Sequence, residues 1–253
     1  MARLLITVPV WNEEVIIVQN LQTLLKACTE MFPEHDWLVE VADNGSTDRT
    51  AELVASLADS QPRLKLRRLN GRGKGFAIKE SWLRSSYELR DTSYDAFCFT
   101  DADLAADIRL LPALIEPILS GQAEIVCGSR YLGTSRVARS WMRELVSRLY
   151  RAWQKICLDL PVEDAQCGFK AVSARTIREI VPLLRETAWL FDSELLALAR
   201  RRGFVIRELA VDWIEHRDGR RQSTLHVWKD GWGFIYGVWR IRRRVHKLST
   251  VTS

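Results

Sequence analysis

The sequence has few cysteines, no long apolar run and no low-complexity tract. Its five cysteines, among 253 residues, form no C-x-x-C pair and have apolar neighbours, which argues against a disulfide framework and a structural zinc site and predicts reduced, mostly buried thiols. A membrane-spanning helix needs about 20 uncharged apolar residues, and the longest candidate, residues 231–239, is far too short. The apolar run 4–11 is followed at once by Glu13 and Glu14 without a small-residue cleavage site, so we predict a buried first strand rather than a signal peptide and a cytosolic chain.

Charge is unevenly placed along a chain that is otherwise ordinary for a globular protein, with 47% apolar and 27% charged residues. Residues 200–253 contain thirteen Lys and Arg against five Asp and Glu, a net charge of +8, which leaves −3 for residues 1–199 of the total of +5. Such a basic segment suits an anionic membrane surface or a nucleic acid. Because no nucleic-acid recognition module accompanies it, we do not expect nucleic acid as a partner.

The hydrophobic pattern of the first half alternates between strands and helices. Strands are predicted at 3–8, 37–42, 64–69 and 94–100, and helices at 15–26, 47–57 and 74–87. This alternation predicts an α/β fold with a mostly parallel sheet, in which ligands bind at the carboxyl ends of the strands, here the loops 9–14, 43–48 and 101–107. After residue 120 the pattern loosens, and we predict strands at 124–127 and 205–213, helices at 141–157 and 191–202, and a short segment at 167–172.

Two carboxylates, Asp101 and Asp103, directly follow an apolar strand. Aspartate is rare in strands and costly to bury without a partner, and a divalent cation bridging phosphate oxygens is a common partner at such a position. The alternative is an ordinary surface turn, because Asp-x-Asp triplets are frequent in turns. The position after a buried strand favours the metal site.

Two further loops have polar, unusual compositions. The segment 43–48 begins with Asp43, which suits hydrogen bonding to a base or ribose, although a turn followed by a capped helix explains the same residues. The segment 70–75 contains three glycines, Arg72 and Lys74 before a helix, which suits a phosphate, although a flexible basic turn is the alternative. It matches neither the Walker motif nor G-x-G-x-x-G.

Seven segments together, in this order, resemble family 2 glycosyltransferases of the GT-A fold, and among them the polyprenyl-phosphate glycosyltransferases such as dolichyl-phosphate mannose and glucose synthases. The segments are VPVWNEE at 8–14, DNGS at 43–46, GKG at 73–75, DADL at 101–104, GSRY at 128–131, DAQCGFK at 164–170 and FDSEL at 191–195. The resemblance covers about residues 4–225, and the last two segments are most similar to the glucose synthase branch.

The resemblance implies a role for each matching residue. The nucleotide sugar would be bound by Pro9, Trp11, Glu13, Asp43, Lys74 and Asp101; Mg²⁺ or Mn²⁺ by Asp101 and Asp103; and the acceptor phosphate by Arg130, Arg143 and Ser147. Asp101, Asp103 and Arg130 would serve catalysis, and Asp164, Asp192 and Arg220 are further candidates. Arg143 and Ser147 are four residues apart, so a helix would present both on one face, but the arginines around them also fit an ordinary solvated helix.

The sequence departs from the family pattern at several positions. Asn44 stands in place of the second of two aspartates, Trp11 in place of a common Tyr, and Ala105 where some relatives have a polar side chain near the metal. Thr224 stands where the family has a phosphate-contacting Lys, a charge that Arg220 or Arg221 would have to supply.

The implied reaction is an inverting, metal-dependent transfer of a hexose from a nucleotide diphosphate to polyprenyl or dolichyl phosphate, with glucose from a UDP donor as the leading choice. The lipid phosphate is already an anion at pH 7, which agrees with the absence of histidine from every motif. Alternatives are mannose from a GDP donor, an N-acetylhexosamine, a family 2 enzyme with another acceptor, and a noncatalytic nucleotide-sugar or membrane-binding protein.

The C-terminal segment predicts a helix at a membrane surface. Trp228, Trp232, Ile235 and Trp239 recur at helical spacing, with Lys229, Arg240, Arg244 and Lys247 expected on the opposite face. The alternative is a Trp stripe that packs on the core, and three glycines weaken the helix.

Taken with the family resemblance, these patterns predict a GT-A domain at 1–224, with a nucleotide-binding half at 1–120 and an acceptor half at 121–224, followed by an interfacial tail at 225–253. The protein would be peripheral to the cytoplasmic face of a membrane, and a separate membrane-anchoring partner protein is a further expectation.

Overall fold

The computed structural model of the protein describes residues 1–88, 94–132, 141–213 and 227–249. The strands are β1 (Arg3–Val10), β2 (Asp36–Asp43), β3 (Leu64–Arg68), β4 (Ala96–Thr100), β5 (Ile125–Ser129), β6 (Phe169–Ser173) and β7 (Ile206–Ala210). The helices are α1 (Ile17–Met31), α2 (Thr50–Ala58), α3 (Lys74–Glu88), α4 (Leu111–Leu119), α5 (Trp141–Leu158), α6 (Ala174–Glu179), α7 (Phe191–Arg201) and α8 (Val227–Ser249).

The seven strands form one sheet in the order β3-β2-β1-β4-β6-β5-β7. The first four strands are parallel, with β1 in the middle paired to β2 and β4, so the predicted mostly parallel sheet is confirmed. Strand β6 runs antiparallel between β4 and β5, and β7 is parallel to β5. The carboxyl ends of β1, β2 and β4 therefore lie at one edge, beside the amino end of β6.

Alternating side chains along the strands supply a core on each face of the sheet. Leu4, Ile6 and Val8 of β1 pack with α1, α2 and α4, whereas Leu5 faces α3, α7 and α8. On the second face Trp82 of α3 contacts Phe97, Phe99 and Phe191, with ring centroids 6.0–6.5 Å apart. The strands of both predicted halves share this one sheet, while the domain boundary proposed at 224 lies outside the described residues.

Two short helices, α4 and α6, were missed by the sequence pattern. Helix α4 carries a proline in its first turn and Pro117 inside, which obscures the helical signal although its buried face is regular. Among the helices in the described ranges, none has the length and apolarity required to cross a bilayer.

The cysteines behave as predicted. Cys28, Cys98, Cys127 and Cys167 are buried and Cys157 is partly buried, and none forms a disulfide. Burial raises the pKa of the Cys28 thiol and of the Cys167 thiol to about 12, so both are unreactive at neutral pH.

Candidate active site

The loops after β1 and β2 are joined by hydrogen bonds into one wall at the carboxyl edge of the sheet. Asn12 takes a left-handed backbone conformation with φ of 55°, its side-chain oxygen accepts from the Thr47 amide at 2.8 Å, and its own amide donates to Ser46 Oγ at 3.0 Å. The amide of Glu13 donates to Thr50 Oγ1 at 2.7 Å. These contacts fix the two loops relative to each other.

Of the six residues predicted to bind the nucleotide sugar, five lie on β1 and its following loop, on β2 and on α3, and the sixth, Asp101, follows β4. Pro9 is the second-last residue of β1 and pairs with Ala42 of β2, and Trp11, with 45% exposure, and Glu13 follow in the loop. Asp43 ends β2, is buried, and accepts from the Ser46 amide at 3.1 Å, while Lys74 begins α3. The structure thus places Pro9 and Asp43 at the carboxyl ends of their strands, Trp11 and Glu13 in the loop after β1, and Lys74 at the start of α3.

Asn44 is a residue that the sequence motif gave only as a departure from the family. It is 8% exposed, and its side-chain oxygen is buried with no hydrogen-bond partner in the described part of the chain. A buried unsatisfied acceptor is costly, and such atoms in native proteins often mark a ligand position. The amide of Asn44 donates to the Val10 carbonyl at 2.9 Å, which fixes the residue beside Asp43 at this edge.

Asp101 follows β4 and lies against the chain that leads into β6. Its amide donates to the Gly168 carbonyl at 3.1 Å, and a Cβ at Gly168 would lie only 1.8 Å from Asp101 Oδ2. Only a glycine leaves room for this carboxylate. Asp103 Oδ1 accepts from the Ala105 amide at 3.2 Å within the loop. Asn20 Nδ2 of α1 donates to the Ala102 carbonyl at 2.8 Å, so the loop is also bound to α1.

Lys74 connects the glycine-rich loop to this acidic loop. Its Nζ lies 2.5 Å from Asp101 Oδ1, 5.2 Å from the centre of the Phe99 ring and 5.9 Å from that of Trp189. The lysine side chain is 16% exposed and that of Asp101 30%. Lys74 and Asp101, the aspartate predicted to bind a metal, therefore meet at one point, next to Trp189, which no sequence motif had singled out.

Arg130, predicted to contact the acceptor phosphate, is held by Asp164. Its Nε and Nη2 donate to the two carboxylate oxygens at 2.7 and 2.9 Å, and its amide also donates to Asp164 at 3.1 Å. Burial alone would lower the pKa of Arg130, but the hydrogen bonds to Asp164 outweigh burial and raise it. Burial likewise opposes ionisation of Asp164, yet its bonds to Arg130 keep the Asp164 pKa below the ordinary value.

Trp213 brings the acidic loop close to Arg130. The guanidinium carbon of Arg130 lies 5.0 Å from the centre of the Trp213 ring, and Trp213 forms an isolated β-bridge with Ala106. The amide of Asp107 also donates to the Asp212 carbonyl at 3.3 Å. The predicted metal-binding loop and the predicted acceptor cation therefore both lie beside the segment that ends at Trp213.

Asp192, a further candidate, is buried at the start of α7. It is 3% exposed and pairs at 2.8 Å with Lys170, which is fully buried on β6. Lys170 Nζ also donates to the Cys167 carbonyl at 2.5 Å, immediately before Gly168. Burial lowers and the Asp192 charge raises the pKa of Lys170, and the net effect is an increase. Asp192 is thus connected through Lys170 to the 164–168 loop, and its role in the site stays a prediction.

For three other predicted residues the structure describes only the backbone or nothing at all. Arg143 and Ser147 fall within α5, so their four-residue spacing does follow a helical backbone, but their side chains lie outside the described residues, as does Arg220. Their predicted contacts with the acceptor phosphate stay predictions.

The cations of the C-terminal helix are not arranged as predicted. Arg240 and Arg244 pair with Glu186 and Glu194 of the fold, whereas Ile235 and Trp239 are 45% and 49% exposed. The core contacts of α8 are instead made by Val238, Ile241 and Val245. The alternative prediction, that the Trp side chains pack on the core, is therefore wrong for Trp239. Arg240 and Arg244 are not the free lipid-facing cations that we expected. Trp228 and Trp232 lie outside the described side chains.

The donor groups of the acidic loop fit a divalent cation held jointly with a diphosphate. Carboxylate oxygens are the ligands that Mg²⁺ and Mn²⁺ prefer, and such ions bound to phosphates usually take only one or two protein carboxylates. Within the described residues, no group of three or more His, Cys, Asp or Glu side chains is arranged as a metal site. Asp101 and Asp103 would supply two such carboxylates, and the close approach of Gly168 sets the position of Asp101.

Comparison with known proteins shows the family of the chain. The model for glycosyl transferase family 2 matches residues 5–181. A dolichyl-phosphate beta-glucosyltransferase from Dictyostelium discoideum is 32% identical over 257 residues, covering 94% of this chain and 76% of the relative. The glycosyltransferase AglD of Haloferax volcanii is 26% identical over 98% of this chain, which spans 39% of that relative's length.

A similar fold occurs in a solved structure. Glucosyl-3-phosphoglycerate synthase from Mycobacterium tuberculosis, in complex with Mn²⁺, UDP and phosphoglyceric acid, superposes with a TM-score of 0.66 at 20% identity, covering 95% of this chain and 78% of that one. This likeness confirms the GT-A fold that the sequence motifs implied. From its family match, its relatives and its sheet, the chain is a member of glycosyl transferase family 2.

Proposed function

We propose that the protein transfers glucose from UDP-glucose to dolichyl phosphate or another polyprenyl phosphate, with inversion at the sugar. The observation that carries the proposal is the meeting of Lys74 and Asp101, 2.5 Å apart, where the glycine-rich loop and the acidic loop converge. The names of the relatives support the donor sugar and the lipid acceptor.

The donor would lie along the joined loops. Asp43 and the unsatisfied oxygen of Asn44 are hydrogen-bond acceptors suited to the N–H of a base, and Trp11 offers an exposed ring against which a base can stack. Pro9 and Glu13 would complete this wall. Lys74 would move from Asp101 towards the diphosphate, exchanging one anionic partner for another within the same small region.

A divalent cation held by Asp101 and Asp103, as Mg²⁺ or Mn²⁺, would neutralise the negative charge that develops on the leaving diphosphate. Mn²⁺ with UDP in a structural neighbour supports this choice.

The acceptor phosphate would be bound by Arg130, Arg143 and Ser147. It is already an anion, so no side chain has to remove a proton. Its oxygen forms a bond to the anomeric carbon while the bond from that carbon to UDP breaks, and UDP leaves with the electron pair. Arg130, fixed by two hydrogen bonds to Asp164, would keep one anion beside the other in the orientation for in-line attack. An α-linked donor would then give a β-linked product.

A membrane surface is the proposed location, on the cytoplasmic face, because the acceptor is a lipid. Ile235, Tyr236 and Trp239 on α8 are exposed, and Arg243 lies 4.6 Å from the Trp239 ring. Exposed aromatic and cationic side chains of this kind suit anionic headgroups. Sedimentation with vesicles containing an anionic phospholipid should decrease for Trp239→Ala and should not change for Val15→Ala, an exposed apolar residue before α1.

The test of activity is a transfer assay with a short polyprenyl phosphate, Mg²⁺ or Mn²⁺, and a panel of UDP- and GDP-sugars, with the glycolipid identified by mass spectrometry. We expect transfer of glucose from UDP-glucose. Transfer of mannose or an N-acetylhexosamine instead would correct the donor. Nucleotide binding without transfer from any donor would refute the proposed reaction.

Two variants assign the proposed roles. Asp103→Asn should abolish transfer, while Asp59→Asn, an exposed aspartate after α2, should not alter it. Arg143→Ala should raise the KM for lipid phosphate more than that for the sugar nucleotide, with Arg148→Ala, exposed on the same helix, as the control. Unchanged turnover of Asp103→Asn would refute the metal site.

A further inference from the structure

Residues 184–191, here called the bridging segment, lie directly against the start of α3. The amide of Phe76 donates to the Thr187 carbonyl at 2.9 Å, and Lys79 Nζ donates to the Leu184 carbonyl at 2.6 Å. Gly73 has a φ of 120°, and a Cβ there would lie 2.1 Å from the Thr187 carbonyl oxygen. The loop that presents Lys74 is thus seated on the backbone of the bridging segment, with no space for a side chain between them.

The bridging segment also contributes Trp189 to the surroundings of Lys74, whose Nζ lies 5.9 Å from the centre of that ring. Trp189 is 42% exposed. A shift of the segment would therefore change both the backbone support of the Lys74 loop and the aromatic ring beside the ammonium group.

The opposite side of the bridging segment is held by α8. Arg240 donates to both carboxylate oxygens of Glu186, at 3.1 and 2.7 Å, and Arg244 donates to Glu186 at 3.1 Å. Arg244 also contacts Glu194, which is fully buried and accepts from the amides of Arg185 and Glu186 at 2.8 and 2.7 Å. Two guanidinium groups and two backbone amides therefore converge on two carboxylates.

Close backbone packing reinforces the same contact. Gly237 of α8 approaches Leu190 so closely that a Cβ would lie 2.2 Å from Leu190 Cδ1. Glycine is less favourable than alanine inside a helix, and here it permits α8 to lie against the bridging segment.

From these contacts we infer that Glu186 and Arg240 are positioning residues for donor binding: α8 holds the bridging segment, which holds the loop that carries Lys74. The inference rests on the proposed function, in which Lys74 contacts the donor diphosphate. Arg240 is the informative member of the cluster. Its side chain is 49% exposed, so its removal leaves no cavity, and Arg244 still neutralises Glu194.

The first experiment measures UDP binding in the presence of Mn²⁺ by calorimetry for wild type, Arg240→Met and Arg242→Met. Arg242 is exposed on the same helix and is the matched control for the loss of one charge. We expect Arg240→Met to weaken UDP binding by roughly 5- to 20-fold, as for a moderate coupling between sites, and Arg242→Met to change it less than about 2-fold. Arg240→Lys should recover part of the affinity, and Glu186→Gln should behave as Arg240→Met.

The second experiment measures amide hydrogen exchange in peptides covering residues 70–79 without any ligand. Exchange should become faster in Arg240→Met and Glu186→Gln and stay unchanged in Arg242→Met, while peptides from β1 keep wild-type protection. This readout requires no donor, so it separates the two hypotheses. A wild-type protein that fails to bind UDP with Mn²⁺ would refute the proposed function. Normal UDP affinity and unchanged exchange at 70–79 in Arg240→Met and Glu186→Gln would refute the positioning role.

Discussion

Replacing Gly168 with alanine tests whether the fold around Asp101 sets the chemistry of the site. The new Cβ would lie 1.8 Å from Asp101 Oδ2 and 2.3 Å from its Cγ. A carbon–oxygen contact needs about 3.3 Å, so the carboxylate would have to move by roughly 1.5 Å. The side chain of Asp101 is 30% exposed and can swing towards solvent, so the stability loss should be near the lower end of the ~1–3 kcal/mol typical of overpacking.

The effect on activity should be larger than the effect on stability. A misplacement of about 1 Å at a reacting centre can reduce the rate by about 10²-fold, equivalent to about 2.7 kcal/mol of activation free energy. We therefore expect Gly168→Ala to lower kcat/KM for the sugar nucleotide by at least ~10²-fold. Mn²⁺ binding in the presence of UDP, followed by electron paramagnetic resonance, should weaken together with activity.

Gly233→Ala is the control, because a Cβ at this α8 position would have no neighbour within 4 Å among the residues that the structure describes. It should leave transfer unchanged. Thermal unfolding of both variants shows whether the fold is retained. A folded Gly168→Ala protein with near wild-type kcat/KM and Mn²⁺ affinity would refute the reasoning that the tight approach of Gly168 positions Asp101.

Further outcomes follow from the buried ion pairs and thiols. Asp164→Asn should reduce the free energy of unfolding at pH 7 by about 3 kcal/mol, since it leaves Arg130 without its buried partner. Because the folded-state pKa of Asp164 is lowered, this stabilisation is present above the ordinary Asp pKa of about 3.9 and lost as pH falls below it, so wild type and variant should converge in denaturant titrations at low pH. Lys170→Met should cost ~3–5 kcal/mol by leaving Asp192 buried and unpaired, and the double variant Lys170→Met, Asp192→Leu should recover much of this in urea unfolding; equal stability of single and double variants would contradict it. Thiol labelling of the native protein should modify Cys157 before the four buried cysteines, and faster labelling of a buried one would contradict the fold.

Much of the site could be read from sequence because its residues lie at strand ends. Asp43 ends β2 and Asp101 directly follows β4, and hydrophobic periodicity marks those strands. In a parallel sheet, strand ends that are distant in sequence lie at one edge, so the strand pattern already predicted that these two carboxylates lie at the same edge of the sheet.

Other members of the site gave no such signal. Trp189 and Glu186 lie in a segment without regular structure, and their importance comes from Lys74 and Arg240, more than 50 residues away in each case. Gly168 belongs to a recognised motif, but only the position of Asp101 shows why a side chain there is excluded. Long-range contacts of this kind leave no periodic pattern.

The C-terminal helix shows the same division. Helical spacing of its aromatic residues predicted the helix itself, and Ile235 and Trp239 are exposed as a surface helix requires. The partners of its cations could not be predicted, because a basic residue at helical spacing is equally suited to solvent, lipid or a buried carboxylate. Arg240 and Arg244 pair with Glu186 and Glu194 because packing of Val238 and Ile241 fixes the rotation of the helix.

The sequence by itself determined the alternation of strands and helices, the family, the acidic, basic or polar character of each loop, and the burial of most cysteines. All of these depend on local patterns and residue chemistry. Only the tertiary structure decided the antiparallel insertion of β6 between β4 and β5, the pairing of Arg130 with Asp164, and the support of the Lys74 loop by α8 through the bridging segment. These features depend on which surfaces meet when the sheet and helices pack, and that choice is made by the whole chain.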